Sequence, residues 1–229
     1  MQPITGARKA ASFALKTIVI ISAAAGTFMS AAAGRNSFMG GSGVFMYFTI
    51  QSNIALALIS LIGCFLLMRR RPVGGVWLTV RLAGAVSITL TGVVFAALLA
   101  PLLGKAAWSV LNTLTHLVVP ICAVADFFVT AAGAEIKKIS VIWVTFPPLL
   151  YAVYAGIGYA NGWEFAKGQT YPCFFLNWGS PAGAFGFTDG LPYMGCAWWI
   201  LAILLFLIAV GLGYLAAAGR IERKGRGRA

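Results

Sequence analysis

Charge is scarce in this chain, and acidic charge scarcest: 229 residues hold five Asp and Glu, 17 Lys and Arg, and one histidine. Charged residues make up 10% of the total, against about a quarter in a soluble domain. Too few polar side chains remain to cover a water-facing surface, which excludes a soluble globular domain. The four cysteines, Cys64, Cys122, Cys173 and Cys196, form no CxxC pair, and no Cys/His cluster has zinc-ligand spacing. With a single histidine and no carboxylate near it, no metal is expected, and no cofactor.

What is there is apolar. Sixty per cent of residues are hydrophobic and the mean hydropathy is +0.89. A spanning helix needs ~20 mainly apolar residues. Six runs qualify, at about 13–33, 45–67, 78–101, 109–132, 140–160 and 193–217. The predicted fold is therefore all-α: a single six-helix transmembrane domain over 1–229, with a long loop at 161–192 and a basic tail at 218–229.

The net charge of +12 invites a nucleic-acid reading. The basic residues argue against it, because they lie between apolar runs and not on one amphipathic face. They read as topology signals. The N-terminal arm carries Arg8, Lys9 and Lys16; the second joint Arg69, Arg70, Arg71 and Arg81; the fourth Lys137 and Lys138; the tail Arg220, Arg223, Lys224, Arg226 and Arg228. The alternate joints carry only Arg35, Lys105 and Lys167. Fourteen against three predicts both termini on the cytoplasmic side and the 161–192 loop outside.

The first run, with Ser22-Ala23-Ala24-Ala25, also has the outline of a signal peptide. Its length and its continuation past the small residues favour a retained span. Small residues in several runs, Gly26, Gly84, Ser87, Gly211 and Gly213 among them, predict close helix contacts. Cys64 and Cys122 read as packing residues. Cys173 and Cys196 fall on the same predicted side and are candidates for a disulfide.

Polar groups at membrane depth are costly, so each needs a reason. The second run opens with Tyr47-Phe48-Thr49-Ile50-Gln51-Ser52-Asn53. Thr49 and Asn53 share a helix face, with Gln51 and Ser52 close by. The fourth run carries Asn112, Thr113, Thr115 and His116, with Pro120 one turn later. Both helices run inward, placing His116 roughly 10 Å and Thr49 roughly 6 Å below their starts. The two could therefore meet. His116 has open readings as a structural hydrogen-bonder, a general base, a proton relay or a metal ligand. Thr49 has the bland reading of a hydroxyl bonded to its own i−4 carbonyl. Asp126 lies about 15 Å deeper than His116, too far to orient it and well placed to pair with Arg81. The outer loop, with Trp163 and Tyr171-Pro172-Cys173-Phe174-Phe175-Leu176, is apolar for a loop. It is a candidate cap, through Tyr171, Pro172 and Phe175, or an interfacial segment.

Together these residues resemble the androgen-induced integral membrane protein family. The likeness rests on Phe48-Thr49, on Trp108, His116, Pro120 and Asp126, and on Trp163, Tyr171-Pro172 and Phe175-Leu176. Through Tyr47-Phe48-Thr49-Ile50-Gln51-Ser52-Asn53 it is closer to a bacterial six-helix branch. Animal members are threonine hydrolases of fatty acid esters of hydroxy fatty acids. The resemblance implies an intramembrane hydrolase of a lipid ester in a bacterial inner membrane, with Thr49 as nucleophile and His116 as its base. Asn53, Asn112, Ser52 and Gln51 are candidate oxyanion or substrate contacts. Two departures stand out: the His116 to Pro120 spacing is one residue short of the animal pattern, and Asp126 fills a position where some carboxylate is expected. The alternative is a lipid-binding or transport protein using the same polar cluster; a channel is a third option, lacking a charge ring.

Overall fold

The computed structural model describes residues 6–34, 41–69, 73–131 and 136–226. Arg35, Arg70, Arg71, Glu135 and Arg228 lie outside the described residues. Among the described residues six helices are long and apolar enough to cross a membrane: α1 Gly6–Gly34, α2 Phe48–Met68, α3 Gly75–Ala106, α4 Val110–Thr130, α5 Lys138–Ala160 and α6 Cys196–Arg226. Among the described residues there is no strand, only two isolated β bridges in the 161–195 loop. All six predicted runs lie on these helices, whose ends differ from prediction mainly at α1, α3 and α6.

Two apolar clusters hold the bundle, and α3 belongs to both. On one side Val19 and Ala23 of α1 meet Leu56 of α2, Ile88 of α3, and Val119 and Ala123 of α4. On the other, Leu82, Val86 and Leu90 of α3 meet Phe127 of α4, Val141 and Val144 of α5, and Leu207 of α6. The segment with the signal-peptide outline thus packs as a full member of the bundle.

Small residues mark the tightest crossings. A Cβ on Gly26 would sit 2.5 Å from the Thr115 side chain, and one on Gly63 2.5 Å from Lys16 Cε. Each glycine permits an approach that any side chain would block. Gly213, flagged with the others, has nothing within 4 Å, so its smallness serves no contact.

Proline sets the irregular turns. A proline has no N–H, and its ring clashes with the carbonyl four residues back. In α3 a π-helical turn over Phe95–Leu99 comes just before Pro101; in α4 one over Leu114–Val118 comes just before Pro120. The wider coil moves the displaced carbonyl aside, and such turns favour functional sites. In α5 a tighter coil over Lys138–Thr145 gives way to α-helix at Phe146, beside Pro147 and Pro148.

The 161–195 loop is folded onto the bundle. Phe165, Phe175 and Leu176 are buried with Tyr151 and Ala155 of α5, and Phe48 and Trp199 pack against them. The Trp199 indole N–H donates to the Pro192 carbonyl at 2.9 Å.

Candidate active site

The first turn of α2 and the π turn of α4 place Thr49 and His116 against each other. Thr49 Oγ1 lies 3.3 Å from His116 Nε2. The i−4 reading fits other threonines better: Thr17, Thr79, Thr89, Thr115 and Thr130 each donate to the carbonyl four residues back. Thr49 has the imidazole as its hydroxyl partner.

The other ring nitrogen fixes the tautomer. His116 Nδ1 lies 3.1 Å from the Asn112 carbonyl and 3.0 Å from Thr115 Oγ1. A carbonyl can only accept. The Thr115 hydroxyl gives its proton to the Leu111 carbonyl at 2.9 Å, so it too accepts from the ring. Nδ1 therefore carries the proton, and Nε2 presents its lone pair to Thr49. Phe95, in the π turn of α3, stacks on the imidazole with centroids 3.9 Å apart and planes at 22°. Trp108 meets Phe95 edge-on at 5.3 Å. Gly92 makes room for this arrangement, since a Cβ there would come within 3.1 Å of the His116 carbonyl.

Thr49 and His116 share a cavity of about 120 Å³ with Phe95, Pro172, Cys173 and Phe175. Two of the three expected cap residues, Pro172 and Phe175, thus line the same cavity as the pair. Tyr171 is not on the cavity wall; its carbonyl accepts from Gln169 Nε2 at 2.7 Å. Tyr47 ties the loop down by donating to the Phe165 carbonyl at 2.9 Å. Burial pushes the Tyr47 phenol up to about 12, so it remains a donor at neutral pH.

The expected oxyanion or substrate contacts are engaged elsewhere. Asn53 Nδ2 donates to the carbonyls of Thr49, at 2.8 Å, and Thr115, at 3.2 Å, clamping α2 to α4. Asn112 Nδ2 donates to the Ala107 carbonyl and Gln51 Nε2 to the Phe45 carbonyl. The Ser52 hydroxyl bonds the Thr49 carbonyl and Thr91 Oγ1, each at 3.0 Å. None of the four lines the cavity. Asn53 and Ser52 hold the backbone that carries Thr49, Gln51 the turn before α2, and Asn112 the turn before α4.

Phe95, Thr91 and Tyr151 line the cavity without having been singled out from the sequence. For Phe95 the available signal was Pro101, which announces an irregular turn in α3. Cys173, flagged only for a disulfide, also lines the cavity, and it and Cys196 are free thiols. Burial pushes the Cys173 thiol up well beyond its usual range, which removes it as a competing thiolate nucleophile.

Asp126 belongs to a different cluster. It pairs with Arg81 at 3.2 Å, as its depth predicts, and also with Lys16. Ser12 Oγ donates to it at 2.6 Å, and Arg81 also bonds Thr130. Lys16, counted above as a topology charge of the N-terminal arm, is instead a buried residue of α1. Among the described residues no group of His, Cys, Asp and Glu could hold a metal ion.

No family model, no curated protein and no solved structure matches this chain. The likeness to the androgen-induced proteins rests on its short motifs alone.

Proposed function

We propose that this protein is an intramembrane hydrolase of lipid esters, with Thr49 as nucleophile and His116 as general base. The observation that carries the reading is the Thr49–His116 contact with its tautomer fixed from behind. A hydroxyl is a weak nucleophile until a neighbouring base takes its proton. Here the Asn112 carbonyl and the Thr115 hydroxyl do the orienting that a carboxylate does in a triad. At 3.3 Å the contact is slightly longer than an ideal hydrogen bond, a separation that substrate binding can tighten.

In the reaction, Thr49 Oγ attacks the ester carbonyl carbon and its proton passes to His116 Nε2. The bond to the alcohol oxygen breaks and the imidazolium returns the proton to that oxygen. Water, deprotonated by the same nitrogen, then attacks the acyl carbon; the bond to Thr49 Oγ breaks, the imidazolium returns the proton to Oγ, and the carboxylic acid is released. The developing oxyanion needs donors. The first-turn N–H of Thr49, which has no carbonyl of its own helix to bond, is the candidate donor in this reading.

The basic-residue bias supports both termini on the cytoplasmic side and a site in the outer half of the bilayer. A bacterial inner membrane follows from the resemblance alone. The competing reading is lipid binding without turnover.

Incubating the detergent-purified protein with a long-chain fluorophosphonate and mapping the adduct tests the assignment. Labelling of Thr49 that is lost in Thr49→Ala is expected. Equal labelling of the Thr49→Ala variant overturns the nucleophile, and bound lipid with no turnover of any ester favours the binding reading.

A further inference from the structure

The cavity around Thr49 is too small for a lipid. At about 120 Å³ it falls well below the ~300–1,000 Å³ of ordinary small-ligand pockets. It can take the reacting ester group and a few carbons on either side. A long-chain substrate must place the rest of its length elsewhere.

Beside it lies a far larger concavity of about 1150 Å³ between α2, α3 and α5. It runs from Val76 and Lys137 at one end to Ile157 and Trp163 at the other. Along α5 that distance is about 30 Å, the thickness of a bilayer's hydrocarbon core. Small residues, Ala55, Ala83 and Gly84, hollow its floor. Ala55 is exposed, so the groove is open to its surroundings, which at this depth are lipid tails.

The two spaces share a wall. Phe48 and Tyr151 line both, and their rings touch with centroids 5.2 Å apart at 54°. Beside them, Ser52 on the groove side bonds Thr91 on the cavity side at 3.0 Å. The partition is a ring pair, one of whose members is held by the Tyr151 hydroxyl donating to the Met46 carbonyl at 3.1 Å, and one hydrogen bond between hydroxyls. Opening it requires the Tyr151 hydroxyl to leave the Met46 carbonyl and both rings to change rotamer, with no break in the backbone of α2 or α5.

We propose that the α2–α3–α5 groove is the acyl-chain site of the substrate, and that displacement of the Phe48 and Tyr151 rings joins it to the Thr49 cavity. The proposal rests on the hydrolase reading for its chemistry but not for the binding. A long acyl chain enters sideways from the bilayer, lies along the groove and delivers its ester carbonyl past the ring pair to Thr49. The apolar wall favours a chain over a headgroup, and the open side accounts for entry without passage through water.

The test uses the full chain in lipid nanodiscs and palmitic acid carrying a mid-chain photoactivatable diazirine. Irradiation is expected to label groove residues such as Ala55, Val80 and Leu150, with excess unlabelled palmitic acid removing the label. Thr49→Ala, which removes the chemistry, is expected to label equally. Ala83→Trp fills the groove from α3, and Ala55→Trp fills it from the exposed face of α2. Either is expected to cut groove labelling about tenfold, the equivalent of ~1.4 kcal/mol. Turnover of palmitoyl esters should fall with it, while acetyl esters, small enough for the cavity, are still cleaved. Label spread evenly over the bundle's outer surface, undiminished by competitor or by both tryptophans, overturns the groove. Intact groove labelling with no ester cleaved by any variant leaves the groove standing and overturns the hydrolase reading instead.

Discussion

The Thr49–His116 pair and the Lys16–Asp126–Arg81 cluster both involve α4, ten residues apart and so roughly 15 Å apart along its axis. Both put polar groups at membrane depth, yet they are built to opposite ends. Around Asp126 the carboxylate is shared by two cations and a serine hydroxyl, with side-chain exposures of 10% or less. It ties α1, α3 and α4 together and lines neither cavity described above. Around Thr49 the groups are neutral, the contact is long at 3.3 Å, and a cavity lies alongside. One cluster has its partners in place and holds helices together. The other sets one lone pair against one hydroxyl on the wall of a cavity, where a reacting group can reach them.

Breaking each cluster should therefore damage different properties. The largest effect is expected at the pair. His116→Ala should lower ester turnover about 10²- to 10⁴-fold, the range of general base catalysis, and Thr49→Ala at least as much, with both variants melting near the wild type. Turnover assays beside thermal unfolding of the same preparations check this; full activity in either variant removes the pair from catalysis.

Next comes Asp126→Asn, which leaves Lys16 and Arg81 without their counter-charge. Breaking a buried pair in this way costs about 3–5 kcal/mol. A lower unfolding temperature is expected, with KM for a short ester unchanged in the folded fraction. Unaltered stability with lost turnover would invert the comparison.

Phe95→Leu, a smaller change, keeps the apolar contact but removes the ring face against His116. About a tenfold loss in kcat is expected from looser positioning, and Phe95→Tyr should recover most of it. A loss confined to unfolding temperature would make Phe95 a packing residue only. The smallest effect is expected at Cys173→Ala. The protonated thiol takes no part in the chemistry, so turnover should stay within about threefold, well under ~1 kcal/mol; a larger fall would return Cys173 to the list of reacting groups.

Much of this molecule was legible in its sequence. The six spans follow from run length and hydropathy alone, because lipid imposes the same demand on every crossing segment. The Asp126–Arg81 pair followed from depth. The Lys16 contact did not, since a lysine near a helix start reads equally as a topology charge until Gly63 is seen to make room for it. The polar residues near Thr49 and His116 were all visible as candidates. Their division of labour was not: Asn53 and Asn112 have the right chemistry for an oxyanion, and only the fold shows that their donors are taken by backbone carbonyls.

The sequence by itself determined the number of runs long and apolar enough to cross, the position of each polar group along its run and the prolines that widen α3 and α4. These depend on neighbours within a turn or a run, so local order is enough. Only the tertiary structure decided that Thr49 meets His116 across 67 residues of chain, that Phe95 lies on the ring, and that Phe48 and Tyr151 separate a small cavity from a large groove. Those contacts join residues far apart in the chain. They depend on which small residues let which helices close, and no local pattern records that.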